Sequence, residues 1–291
     1  MQPRSGKKIF PVYTKVGNPP VTICKSIDAG VFGYPFFNQG VQQRSPLSED
    51  NTMYGWEDLQ MDGETSLLQL KGFIFHSSHC GSTLLSRMLG RLPGVRVISE
   101  TEAINGLLLS CAFNNLTEKN VLVQLKQIME AYRQPLENEK FLVFKLSSWN
   151  VFFIKLFQQL YPDIPWFYLD RDTDEVVNSL LKKGGGFAEW WDHPADILRQ
   201  YFTGKDVIFP GKEDYLREMV KRHRLYAQSN NNGRSCFLQY PEFIGQFEEI
   251  ILPNLGLHFS KDEIRDALLV ARYESKQVEN VLFNPSGKEG P

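Results

Sequence analysis

Cysteine is scarce in this chain of 291 residues, and Cys24, Cys80, Cys111 and Cys236 are scattered without any Cys-x-x-Cys spacing. Neither a zinc site nor a disulfide scaffold is indicated, and free thiols are the expectation. No apolar run approaches the roughly 18 residues that span a bilayer, and the positively charged N-terminus, Met1 to Pro11, has no apolar stretch behind it. A cytoplasmic protein without a membrane partner is expected. The formal net charge of −2 leaves no basic excess, which disfavours a dedicated nucleic-acid binder while allowing a local basic pocket. Internal repeats and low-complexity tracts are also missing. What is present is a 42% apolar composition, enough for one large α/β domain or two small ones.

The most informative stretch is 73–92. Phe73 to Phe75 form a short apolar run that leads into small polar residues around Gly81, and then Leu84, Leu85, Met88, Leu89 and Leu92 recur at helical spacing. Strand, tight loop and helix are predicted in that order. Gly81 allows close backbone approach to a ligand, Ser82 and Thr83 are natural cap residues, and the unpaired amides of the first helical turn point back into the loop. Such a corner suits anions, phosphate above all.

The loop lacks the lysine of the Gly-Lys-Ser/Thr pattern that cradles nucleoside triphosphates, because Gly81 is followed directly by Ser82 and Thr83. An ordinary ATPase or GTPase is thereby disfavoured. His79-Cys80 opens like a thiolate phosphatase loop, in which a helix start would lower the cysteine's pKa. Arg87, however, stands one residue too far along, a slip of about 100° around a helix. A Cys80-dependent phosphatase stays open as an alternative.

The same residues resemble the loop of sulfotransferases that binds the 5′-phosphosulfate end of 3′-phosphoadenosine 5′-phosphosulfate. The matching positions are His79, Cys80, Gly81, Ser82 and Thr83, with His79 where that family usually places Lys or Arg. Farther on, Arg171-Asp172 with Ser179 on the following helix resembles the family's second signature, which binds the 3′-phosphate. The spacing is closest to protein-tyrosine sulfotransferases and to bacterial members of the family. The resemblance implies a P-loop-type parallel sheet, 3′-phosphoadenosine 5′-phosphosulfate as sulfuryl donor, no metal, and a hydroxyl or amine acceptor, a small molecule rather than a protein. It also implies roles: Glu100 as general base with Glu102 as fallback, Lys145 and His79 as cations facing the transferring group, and Ser275 near the bridging oxygen. A homologue that binds the nucleotide without turnover is the other alternative, since an unperturbed imidazole is only partly charged at neutral pH. His76 is read as a satisfied strand-end histidine.

Around these motifs the chain divides into an N-terminal extension, 1–70, rich in Pro, Gly, Asn, Gln and aromatics, and an α/β part, 71–291. The extension shows extended pieces at Phe10–Val16 and Val21–Cys24 and no helical period, and reads as a structural cover. The α/β part alternates: extended Arg96–Ser99, mainly helical 101–133, strand Phe141–Ser147, helix Trp149–Tyr161, strand Trp166–Asp170, helix Thr173–Lys183. A helix at Glu213–Ser229 and a strand at Cys236–Tyr240 follow. This alternation predicts a parallel sheet with helices on both faces. Gly184 to His193, with Phe187, Trp190 and Trp191 beyond three glycines, is read either as a lid on the acceptor side or as a segment whose two tryptophans pack into the core. Gly287-Lys288 resembles a basic tail that closes on the nucleotide.

Overall fold

The computed structural model describes residues 7–45, 66–114, 116–193 and 196–272. Its N-terminal part opens with a hairpin, in which β1 (Lys7–Lys15) and β2 (Val21–Asp28) pair antiparallel across the Gly17-Asn18-Pro19-Pro20 turn. Asp28 then caps a short 3₁₀ turn by accepting from the Gly30 amide at 2.8 Å. The following helix α1 (Phe37–Arg44) corrects the expectation of a helix-free extension. Two turns are too short for a helical period to stand out, and a helix-breaking glycine sits in the middle. Here Gly40 is a packing contact: a Cβ on it would lie 2.3 Å from the Val31 carbonyl oxygen.

The main body runs β3 (Gln69–His76), α2 (Ser82–Arg91), β4 (Val95–Ser99), α3 (Glu102–Asn114), α4 (Glu118–Ala131), β5 (Phe141–Lys145), α5 (Ile154–Leu160), β6 (Trp166–Asp170), α6 (Thr173–Lys183), α7 (Ile197–Thr203), α8 (Lys212–Ser229) and β7 (Ser235–Gln239). The stretch expected as mainly helical over 101–133 is thus two helices, the second capped by the Thr117 hydroxyl. The expected helix at 149–161 begins as a 3₁₀ turn, Ser148–Phe153, before α5.

Five strands form one sheet in the order β4-β5-β3-β6-β7, every neighbouring pair parallel, as the alternation predicts. Strand residues point alternately to the two faces. Phe73, Phe75, Leu142, Phe144, Trp166 and Tyr168 join one apolar cluster, with α3, α4 and α8. Ile74, Val143, Phe167 and Leu169 join the other, with α2 and the last helix, Lys261–Leu269. Both faces are covered, which is why these strands read as continuous apolar runs. Among the described residues no helix is long and apolar enough to cross a membrane.

The N-terminal hairpin packs on α3. A Cβ on Gly106 would meet the Thr14 carbonyl oxygen at 1.9 Å, so only glycine admits this approach. At the sheet's β4 edge, buried Arg96 donates to Glu139 and to the carbonyl oxygens of Tyr132 and Gln134, fixing the strand that ends just before Glu100.

Candidate active site

In a parallel sheet all strands end on the same side, and ligands bind beyond those carboxyl ends. A cleft of about 1190 Å³ lies there. Each strand supplies it: β3 leads into the 77–81 loop, β4 into Glu100, β5 into Ser147 and Ser148, β6 into Arg171 and β7 into Tyr240.

The loop after β3 is strained. Ser78 (φ 75°) and His79 (φ 45°) adopt left-handed backbone, and so does Glu100 (φ 52°), whose Oε1 lies 3.8 Å from His76 Nε2; Gly81 (φ 86°) does so at no steric penalty. Non-glycine residues held this way cost about 1–3 kcal/mol each and tend to gather where geometry serves a ligand. His76, buried at the end of β3, holds the loop: its Nδ1 accepts from the Ser78 amide at 3.1 Å, which leaves Nε2–H to donate to the Leu146 oxygen at 2.9 Å. The expected satisfied strand-end histidine is found. α2 then starts with no side-chain cap on Gly81 and no acidic residue in its first turn. Its amides and the positive end of its dipole are directed at the loop, an arrangement suited to an anion.

Arg171 and Ser179 meet the same loop. Ser179 Oγ lies 2.7 Å from His79 Nδ1, and Arg171 Nη1 donates to the His79 carbonyl oxygen at 3.3 Å. Arg171 is further oriented by Glu175, at 2.6 Å, and by the Tyr240 ring, 4.9 Å from its guanidinium carbon. Asp172 caps α6, accepting from the amides of Asp174 and Glu175. The same Tyr240 ring occupies the space a Gly81 Cβ would need, with Cδ2 2.5 Å from that position.

Lys145 is fully buried at the end of β5. It forms an ion pair with Glu100, donates to Thr83 Oγ1 at 3.3 Å, and sits 4.9 Å from the centroid of the Phe36 ring. The Glu100 amide donates to the Lys145 carbonyl oxygen at 2.8 Å, so main chain and side chain both join the two strand ends. Glu102 stands on the first turn of α3. Burial, and secondarily the charge of Glu100, lifts its carboxyl above the usual carboxylate range, while a hydrogen bond from Asn105 opposes that shift.

Cys80 lies in this loop with its side chain turned into the core, its Sγ donating to the Leu169 carbonyl oxygen at 3.2 Å. Burial pushes the thiol up to about 11. Arg87 lines a separate cavity between α2 and the last helix. A thiolate phosphatase needs an ionised cysteine and an arginine around one phosphate, so that alternative is corrected. Cys80 contributes backbone to the loop. Ser275 and Gly287-Lys288 lie outside the described residues.

Of the two readings of Gly184–His193, the packed one is found. Phe187 is fully buried with its ring edge-on to His223, its carbonyl oxygen accepts from the Tyr215 hydroxyl at 3.0 Å, and Trp190 packs against Trp149 and Phe202. Residues that line the cleft and that the motifs do not reveal include Phe36, Asn105, Leu109 and Trp149. Asn105 left a trace, as a polar residue inside an otherwise apolar helical run. Phe36 left none. Asn38 nearby accepts from the Glu102 amide at 2.8 Å, so the extension both covers the body and shapes the cleft.

No family model matches the chain, and no curated protein matches it. Several solved structures do. The sulfotransferase domain of the Synechococcus PCC 7002 olefin synthase is 15% identical, with a TM-score of 0.40 over 77% of this chain and 83% of its own. A sulfotransferase from Mycobacterium avium is 10% identical, with a TM-score of 0.47 over 76% and 74%. A mouse sulfotransferase complexed with PAP is 16% identical, with a TM-score of 0.38 over 70% and 63%. All three are sulfotransferases. Likeness at these values assigns no chemistry to this chain, for which the cleft's own residues must answer.

Proposed function

We propose that this chain is a sulfotransferase, moving a sulfuryl group from 3′-phosphoadenosine 5′-phosphosulfate to a hydroxyl or amine of a small acceptor without a metal ion. The observation that carries this reading is the convergence of two anion-binding elements on one strained loop. The uncapped start of α2 suits the 5′ end of the donor, while Arg171 and Ser179, both in contact with His79, suit a second phosphate. A doubly phosphorylated nucleotide asks for two such elements side by side. A nucleoside triphosphate asks for a lysine that the loop does not have.

The chemistry needs a base and a cation, and the strand ends offer both. As the acceptor oxygen or nitrogen bonds to sulfur, the bond from sulfur to the 5′-phosphate oxygen breaks, and the acceptor's proton must leave. Glu100 takes that proton. Lys145, held beside Thr83 at the start of α2, and His79, held by Ser179, face the charge that grows on the leaving phosphate. The N–H groups of α2 add to the same field.

The test is calorimetric titration of the purified protein with 3′-phosphoadenosine 5′-phosphate. Micromolar affinity, about 8 kcal/mol, that falls sharply in Arg171→Ala supports the reading. No binding removes it. His79→Ala is expected to abolish turnover while leaving most of the nucleotide affinity; unchanged turnover takes His79 out of the chemistry.

A further inference from the structure

Glu102, Asn105 and Leu109 lie on one face of α3, at i, i+3 and i+7, and all three line the cleft. Asn105 is only 7% exposed. Its Nδ2 donates to Glu102 Oε1 at 3.3 Å, and its Oδ1 has no hydrogen-bond partner among the described residues. A carboxylate only accepts, so the amide nitrogen must face Glu102 and the oxygen is the orphan. A buried acceptor left unpaired is costly, and such atoms call for a donor.

The neighbouring charges say which donor. Four carboxylates line the cleft, Glu100, Glu102, Glu175 and Glu189, and so do the cations Arg171, Lys182 and Lys183 from the start and end of α6. Glu100 is paired with Lys145 and Glu175 with Arg171. Glu102 and Glu189 form no ion pair among the described residues. Phe36 and the edge-to-face pair of Trp149 and Trp190, ring centroids 5.8 Å apart, line the same cleft. On the α3 side, away from the α6 cations, a carboxyl without an ion pair, an orphan oxygen and aromatic faces together accept hydrogen bonds and attract positive charge. A neutral polyol would satisfy Asn105 and leave the carboxyls uncompensated.

We propose that the α3 side of the cleft binds a protonated amine through Glu102 and Asn105 Oδ1, so that the acceptor is an amino-bearing alcohol, phenol or second amine. Calling that ligand the acceptor rests on the sulfuryl-transfer reading; the amine site itself does not.

The experiment titrates the full chain, saturated with 3′-phosphoadenosine 5′-phosphate, with two matched pairs: tyramine against 4-ethylphenol, and 2-amino-3-phenylpropan-1-ol against 3-phenylpropan-1-ol. The ammonium member of each pair is expected to bind at least tenfold more tightly. The isosteric Glu102→Gln should cut that advantage below threefold, with an unchanged melting temperature to report the fold, and Asn105→Leu should cut it independently. Equal or weaker binding of both amines, no binding of any probe, or an advantage that survives Glu102→Gln overturns the proposal. The nucleotide titration of the same sample keeps the two readings apart. Amine preference without nucleotide binding retains the site and removes sulfuryl transfer; nucleotide binding without amine preference does the reverse.

Discussion

The side of the cleft formed by the 77–83 loop, Arg171 and Ser179 is furnished with amides, a guanidinium, an imidazole and hydroxyls. The α3 side carries carboxyls, an amide oxygen and aromatic rings, and between the two sides buried Lys145, at the end of β5, is bound to Glu100. Apart from Glu175, which is paired with Arg171, one end gives hydrogen bonds and the other takes them. This partition sorts two ligands of opposite character into opposite ends, and the Glu100–Lys145 pair marks the boundary where they would meet.

The comparison breaks most severely at the boundary. Glu100→Gln should lower turnover by about 10²–10⁴-fold if the carboxylate takes the acceptor's proton, as measured by release of 3′-phosphoadenosine 5′-phosphate. It should also destabilise the fold more than Lys145→Met does. The first leaves a fully buried ammonium uncompensated, a cost of up to about 3–5 kcal/mol, whereas the second leaves a carboxylate that is 25% exposed and can hydrate. Equal melting temperatures for the two variants would contradict this account of the pair.

Next in size is the donor end taken alone. Arg171→Ala should weaken nucleotide affinity by about 10- to 100-fold, the worth of a charge-assisted hydrogen bond, while Glu102→Gln should change it less than twofold. If both variants lose affinity alike, the two ends are not separate.

A smaller effect concerns the support beneath the cleft. His223 is fully buried against Phe152 and Phe187, and burial pushes its imidazole down to about 3 from an ordinary value of 6.5. The folded protein therefore holds it neutral while the unfolded chain takes up a proton below about pH 6.5. Its contribution to stability is complete above that pH and is lost as pH falls toward 3, at no more than about 1.4 kcal/mol per unit. Urea midpoints measured between pH 7 and 5 should fall in the wild type and fall less steeply in His223→Phe.

The smallest effect is expected at Cys80. Cys80→Ser retains a donor to the Leu169 oxygen and should leave nucleotide affinity within twofold. Neither protein should hydrolyse an aryl phosphate, and thiol-dependent hydrolysis would reinstate the phosphatase reading.

What the sequence revealed follows from distance along the chain. The loop from His79 to Thr83 and the Arg171 to Ser179 turn are each contained in a single strand-to-helix junction, where glycine, cap residues and helical period speak for themselves. The sheet was equally legible, because strands buried on both faces are continuous apolar runs. Phe36 reaches the cleft, and Asn38 the Glu102 amide, from an eight-residue helix region far upstream, and no local pattern announces such contacts. Trp190 shows the converse: aromatics after glycines suggested a moving lid, and only packing against Trp149 and Phe202 identifies the segment as fixed. Asn105 falls between the two, visible as an odd polar residue but unassignable until its oxygen proved to be unpaired.

Lys145 holds Thr83 with one hydrogen bond and Glu100 with another. Negative charge brought to the start of α2 competes with Glu100 for that ammonium. Loading one end would in this way be felt at the other. Reciprocity then requires that whatever factor the nucleotide applies to acceptor affinity, the acceptor returns to the nucleotide, so a single lysine couples the two ends whichever ligand arrives first.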